Sequence, residues 1–174
     1  MNNLSFHITD ITANSIRANA SEIGLSVKEQ DTRIVIRITD NGSGMDAETA
    51  RRVTNPFYTT RTTRKVGLGL PFLIQNAEQT GGSVTLTSEP GKGTEVRAVF
   101  HSDHIDCPPW GDLPGTVALL ITGNPEINVC FEYRSGETGY SISTNEKEIL
   151  DGVPLSHPKV MLLIKEMIKE NIRS

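Results

Sequence analysis

The chain has 174 residues and a formal net charge of −4, which suits one domain, or one with an appendage, able to bury a normal core without disulfide or metal. Its 36% hydrophobic and 22% charged residues describe a globular protein rather than a disordered one, and the mild acidity argues against broad nucleic-acid binding. Cys107 and Cys130 lack CxxC spacing, no apolar run approaches the ~20 residues of a membrane span, and no signal peptide is visible, so a cytoplasmic protein with no membrane partner is expected.

In chain order, residues 4–23 recur apolar at Leu4, Ile8, Ile11, Ala18 and Ile23, the period of a helix. "TRIVIRIT" alternates and predicts a strand, with Ile34, Ile36 and Ile38 on one face. "MDAETARRV" predicts a short helix with Asp46 and Glu48 in its first turn. "TNPFYTTRTTRKV" shows no period and predicts a loop. "GLPFLIQNAEQTGG" predicts a helix closed by Gly81 and Gly82, and "SVTLTSEPGKGTEVRAVF" a hairpin. "HSDHIDCPPWGDLPG" is a connector in which Trp110 pins the chain to the core. Beyond it, "TVALLIT", "INVCFEYRS" and "YSISTNE" are three strand candidates forming a meander, and "HPKVMLLIKEMIKENI" is an amphipathic helix. The expected domains are residues 1–101, a connector at 102–114 and an α+β extension at 115–174.

The chemistry concentrates in "RITDNGSGM". "GSGMDA" matches the dinucleotide fingerprint G-x-G-x-x-A between strand and helix. That motif also needs an acid about 20 residues on, and no Asp or Glu occurs between Glu48 and Glu78. "GKGT" lacks the spacing of a P-loop and falls in a hairpin turn. A plain strand-to-helix turn using glycine remains open for the box taken alone. Other segments weigh against it. "GLGL" at 67–70 opens another helix, where bare N–H groups suit phosphate oxygens. A basic loop with Arg61, Arg64 and Lys65 leads into it, and the first helix carries Asp10, Asn14 and Arg17 on one face.

Together these segments resemble the ATP-binding domain shared by sensor histidine kinases, anti-sigma-factor serine kinases, type II topoisomerases and mismatch-repair ATPases. "DITANSIRANA" is similar to the N box, "DNGSGM" to the D-x-G-x-G box and "NPFYTT" to the F box. "GLGLPFLIQNAEQTGGSVTLTSEPGKGTEVRAVF" is similar to the second glycine box and closing hairpin of histidine kinases. The resemblance covers about the first hundred residues and implies a two-layer α/β sandwich of the α+β class; the small C-terminal meander-plus-helix extension, read from its own residue pattern, lies beyond it.

It also implies roles. Asp40 accepts a hydrogen bond from the adenine amine; guanine offers an acceptor there instead. Gly42 and Gly44 let the backbone approach base and sugar. Asn14 binds Mg²⁺ through its amide oxygen. Arg17 and Lys65 offset phosphate charge, unless they are ordinary solvated residues. Phe57, with Tyr58, packs the hinge of a lid running from Asn55 to Val66. Gly67 and Gly69 wrap the phosphates; Met45, Leu68 and Thr94 complete the ATP-binding set. Asp10 is an acid four residues before the Asn, where serine kinases and ATPases carry a base, but it is one methylene shorter than the usual Glu.

A sensor kinase carries its phosphoacceptor histidine before the N box, which begins here about ten residues into the chain, and His7 lies on the N-box helix itself. The expectation is a stand-alone unit or a fragment that phosphorylates a protein partner in trans; an ATP-gated binding module and an inactive relic are the competing readings. His101, His104 and Cys107 offer three zinc ligands without a clear fourth. The stripe Val160, Leu163, Ile164, Met167 and Ile168 packs on the meander or forms a partner interface, a homodimer included.

Overall fold

The computed structural model describes residues 3–55, 69–144 and 152–172. Its elements are α1 (Leu4–Arg17), β1 (Glu22–Gln30), β2 (Arg33–Asp40), α2 (Ala47–Thr54), α3 (Gly69–Gln79), β3 (Ser83–Glu89), β4 (Gly93–His101), α4 (Leu113–Gly123), β5 (Asn128–Ser135), β6 (Thr138–Ser143) and α5 (Pro158–Asn171). They form an α+β two-layer sandwich, as the family resemblance implies. One layer is a six-stranded sheet of order β3-β4-β2-β1-β5-β6. Only the β1–β5 pair is parallel among these neighbours. Helices α1, α3 and α4 cover one face, and α5 packs on α4.

Period-2 alternation builds the sheet's buried side. Ile23, Leu25 and Val27 of β1 lie beside Ile34, Ile36 and Ile38 of β2, and Val96, Ala98 and Phe100 of β4 continue the layer. Val129, Phe131 and Tyr133 of β5 extend it on the other side. Burying each such large apolar side chain contributes about 1.5–3 kcal/mol. His7 is also in this core, with Asn76 donating to its Nε2 at 2.7 Å. Burial lowers its pKa, so the ring is held neutral and is inaccessible as a phosphoacceptor.

The structure corrects the predicted elements in two places. The first helix ends at Arg17, not near residue 23, because Asn19 takes a left-handed φ of 60°. "EIGLSVKEQ" is then β1, a strand of which the expected helix covers only Glu22 and Ile23. "TVALLIT" is not a strand of a meander but most of α4, leaving the β5–β6 hairpin. Asp112 caps that helix by accepting the Gly115 N–H at 3.0 Å, and Pro114 lies in its first turn. Val117, Ala118 and Ile121 are buried at helical spacing. A short continuous apolar run fits a buried helix as well as a strand, and the start signal lay inside the supposed connector.

The connector is tied as Trp110 predicted. Trp110 Nε1 donates to Glu29 Oε1 at 2.7 Å. The Pro109 and Trp110 carbonyls accept the Leu4 and Ser5 N–H groups at 2.8 and 3.0 Å, and so satisfy two of the donors a helix start leaves open. Along the last helix Val160, Ile164 and Ile168 are buried while Leu163 is exposed; core packing takes most of the stripe. Among the described residues, no helix is long and apolar enough to cross a membrane. Among them, too, no three His, Cys, Asp or Glu could hold a metal ion together, so His101, His104 and Cys107 do not converge.

Candidate functional site

A cavity of about 250 Å³ opens where the last turns of α1 meet the ends of β2 and β4. Asn14, Arg17, Asp40, Gly44, Met45 and Thr94 all line it. Residues 26 positions apart in sequence, Asn14 and Asp40, meet there because β2 runs beneath α1 and ends at Asp40. Apolar side chains form most of the walls: Ile11 from α1, Ile38 from β2, Val96 from β4, and Val53 and Leu70 from α2 and α3. The result is a mainly apolar slot with a few polar groups in its lining, the usual form of a small-molecule site.

Asp40 is the fixed point. Its Oδ2 accepts from Ser15 Oγ at 2.6 Å and its Oδ1 from the Gly42 N–H at 2.9 Å. A carboxylate offers about four lone-pair positions, so acceptor capacity remains for a donor in the slot. Asp40 pairs in register with Thr94 on β4, whose hydroxyl lies 2.8 Å from Ser88 Oγ. Ser88 in turn accepts the Met45 N–H at 2.8 Å.

The glycines have a reason inside the protein itself. A Cβ on Gly42 would lie 2.7 Å from the Ala18 carbonyl oxygen. On Gly44, at φ +68°, it would lie 1.9 Å from the Glu89 oxygen, and on Gly93, at φ +121°, 1.9 Å from the Asp40 oxygen. Such approaches exclude any side chain. The box is thereby clamped between the end of α1 and the β3–β4 turn: Ser43 N–H donates to Ala18 at 2.9 Å, and Gly91 N–H to Ser43 at 2.7 Å. Gly42 does not line the cavity; it holds Asp40.

Asn14 and Arg17 touch each other, the guanidinium donating to the Asn14 amide oxygen. Asp10 is one turn away toward the start of α1 and faces the first residue of α3: a Cβ on Gly69 would come 3.1 Å from that of Asp10. Burial raises the Asp10 pKa, and the Arg17 charge partly opposes this. Asp10 is therefore a stronger base than an ordinary aspartate, placed where α1 meets the start of α3. Phe57, Lys65, Gly67 and Leu68, with most of the Asn55–Val66 segment, lie outside the described residues.

Several residues of the site carried no signal read in the sequence. Ser15 follows Asn14 and holds Asp40. Ser88 and Gly93 belong to the hairpin that locks the glycine box. Asn41 accepts from the Ser21 and Glu22 N–H groups, each at 2.9 Å, and ties the box to the start of β1. Ile38 and Val96 could have been found by stepping two residues from Asp40 and Thr94 along their strands.

Comparison with known proteins agrees with this geometry. Residues 3–104 match the model of the family described as histidine kinase-, DNA gyrase B- and HSP90-like ATPases. The chain belongs to that family. A putative sensor protein of Shewanella frigidimarina is 32% identical over 97 residues, 53% of this chain and 15% of that protein. The sensor histidine kinase YxdK of Bacillus subtilis is 29% identical over 104 residues, 56% of this chain and 32% of the kinase. The sensor kinase CckA of Brucella abortus is 34% identical over 91 residues, 52% and 10% respectively. The chain thus spans a third or less of these relatives. Among solved structures, the N-terminal domain of a DNA repair protein superposes with a TM-score of 0.55 at 17% identity, covering 82% of this chain and 52% of that one. That likeness is one of fold. Family and kinase relatives together support ATP binding in a histidine-kinase-like domain.

Proposed function

We propose that the cavity binds Mg·ATP and that the chain transfers the γ-phosphoryl group to a protein partner in trans. The observation that carries this reading is Asp40: a carboxylate fixed through both oxygens in the lining of a mainly apolar slot. Adenine is flat and largely apolar, with an amine at one edge that such a carboxylate accepts. Ile38, Val96, Met45 and Leu70 would enclose the ring, and Gly44 and Thr94 lie beside it.

The phosphates would then extend along α1 toward Asn14 and Arg17. Magnesium takes oxygen ligands and few from protein, and the Asn14 amide oxygen fits that requirement once Arg17 turns from it to the phosphates. The ion supplies neutralisation of phosphate charge. Lys65 and the backbone of Gly67 and Gly69 complete the cradle in this reading. Leu68 and Phe57, which lie outside the described residues, belong to the same proposed set. Catalysis is then mostly positioning and charge neutralisation. Asp10 would accept the proton of the attacking hydroxyl as the bond to the γ-phosphorus forms and the bond to the ADP oxygen breaks. Its raised pKa suits a base.

The test is transfer of radiolabelled γ-phosphate to proteins encoded beside this chain's gene. Label on a partner, lost in Asp10→Asn while ATP affinity stays within about twofold, is the expected result. Tight ATP binding with no label transferred in the wild type would leave a nucleotide-gated binding module instead.

A further inference from the structure

The solvent side of the sheet carries a second feature, separated from the ATP cavity by the full thickness of the sheet. A shallow concavity of about 210 Å³ lies across β1, β2 and β4. Lys28, Arg33, Arg37 and Arg97 line it, with Ser26 and Gln30 between them, and no carboxylate does. This is a local concentration of positive charge on a chain whose formal net charge is −4.

The fold gains nothing from that arrangement. Arg37 and Arg97 are direct cross-strand partners, and like charges placed directly opposite destabilise a sheet. Arg37 is relieved by an ion pair with Glu95 one step along β4. Among the described residues, no carboxylate lies within ion-pair distance of Lys28, Arg33 or Arg97. Lys28 and Arg33 are exposed and Arg97 is half-buried.

We infer that this face docks an acidic polypeptide segment in extended form. Arg33 and Arg37 are four residues apart on one face of β2, about 13 Å at the rise of a strand. Neighbouring strands repeat every ~4.8 Å across that direction, which spreads Lys28 and Arg97 to either side. An extended partner with acids at alternate positions presents carboxylates at the same rise. Guanidinium groups pair with carboxylates through two parallel hydrogen bonds. Nucleic acid fits less well. Single-stranded chains are held by aromatic stacking as well as by charge, and no aromatic residue lines the concavity. A partner held here leaves the ATP cavity on the helical side open.

The test is fluorescence anisotropy with labelled octaglutamate in low salt and without nucleotide. Wild type is expected to bind, and to weaken as salt rises. Lys28→Glu/Arg33→Glu is expected to weaken binding by about tenfold or more. Lys159→Glu/Lys169→Glu, the same charge change on α5, is expected to leave it within about twofold. Arg97→Gln keeps the fold in question separate from the binding: it should weaken binding while its melting temperature holds or rises, since it removes the opposed pair. No octaglutamate binding at low salt overturns the inference. So does equal weakening by the two double variants, or tighter binding of oligothymidylate than of octaglutamate through the same residues.

Discussion

The two ends of the sheet were built by different kinds of information. The β3-β4-β2 end carries the proposed ATP cavity, and its residues stand in segments covered by the family match. The β5-β6 end, with α4 and α5, lies past residue 104, where the family match stops. Yet β5 pairs with β1 along eight residues, from Glu22↔Asn128 to Glu29↔Ser135, and its core side chains join the same cluster as Ile23 and Phe100. Motif content divides the chain near residue 104, whereas packing does not. What an appendage means in sequence is therefore not what it means in energy.

Substitutions distinguish one cooperative sheet from two separable ends. The largest expected effect is at Phe131, which is 1% exposed. Phe131→Ala removes a core aromatic and should cost about 3–5 kcal/mol. If the sheet is one unit, urea unfolding followed by Trp110 fluorescence and by far-ultraviolet dichroism stays coincident and shifts as a whole. Two separated transitions would show that the C-terminal end folds by itself.

A smaller loss is expected at the tether. Glu29 accepts from both Trp110 and Tyr133, joining β1, the connector and β5. Burial and the Glu29 carboxylate together push the Tyr133 pKa up, so the phenol stays protonated and donating. Glu29→Ala removes the acceptor of Trp110 Nε1 and one partner of Tyr133, and should cost about 2 kcal/mol, read as a shift of the urea midpoint. An unchanged midpoint would remove the tether from the account. The smallest effect on stability is expected at Ser15. Ser15→Ala should cost about 1 kcal/mol but should weaken ATP binding severalfold, because Asp40 loses one of its two anchors. Calorimetry of ATP binding checks it, and unchanged affinity would deny Ser15 a positioning role.

The same division governs what could be read without coordinates. Asp40, Gly44, Met45, Thr94, Asn14 and Arg17 were legible because they stand in the segments that resemble the family's boxes and closing hairpin, and the structure gathers them at one cavity. Strand β1 was hidden because the helical period ran on through Ala18 and Ile23, and nothing local announced that Asn19 turns left-handed. Helix α4 was hidden because "TVALLIT" is apolar all round, so its period is blank. Ser15, Asn41, Ser88 and Gly93 act through partners far along the chain; their importance is tertiary, and no local pattern encodes it. Arg33, Arg37 and Arg97 were legible only as polar positions of predicted strands, and Lys28 not even as that, until the β2–β4 register set two arginines side by side.

The central claim is that Asp40 reads adenine in a mainly apolar slot. Thermal unfolding with and without millimolar Mg·ATP tests it most directly, in the wild type and in Asp40→Asn. ATP is expected to stabilise the wild type by about 2.7 kcal/mol at a hundredfold excess over Kd, GTP far less, and Asp40→Asn should lose the ATP effect while still folding. No shift with ATP in the wild type, or an equal shift in Asp40→Asn, would contradict it.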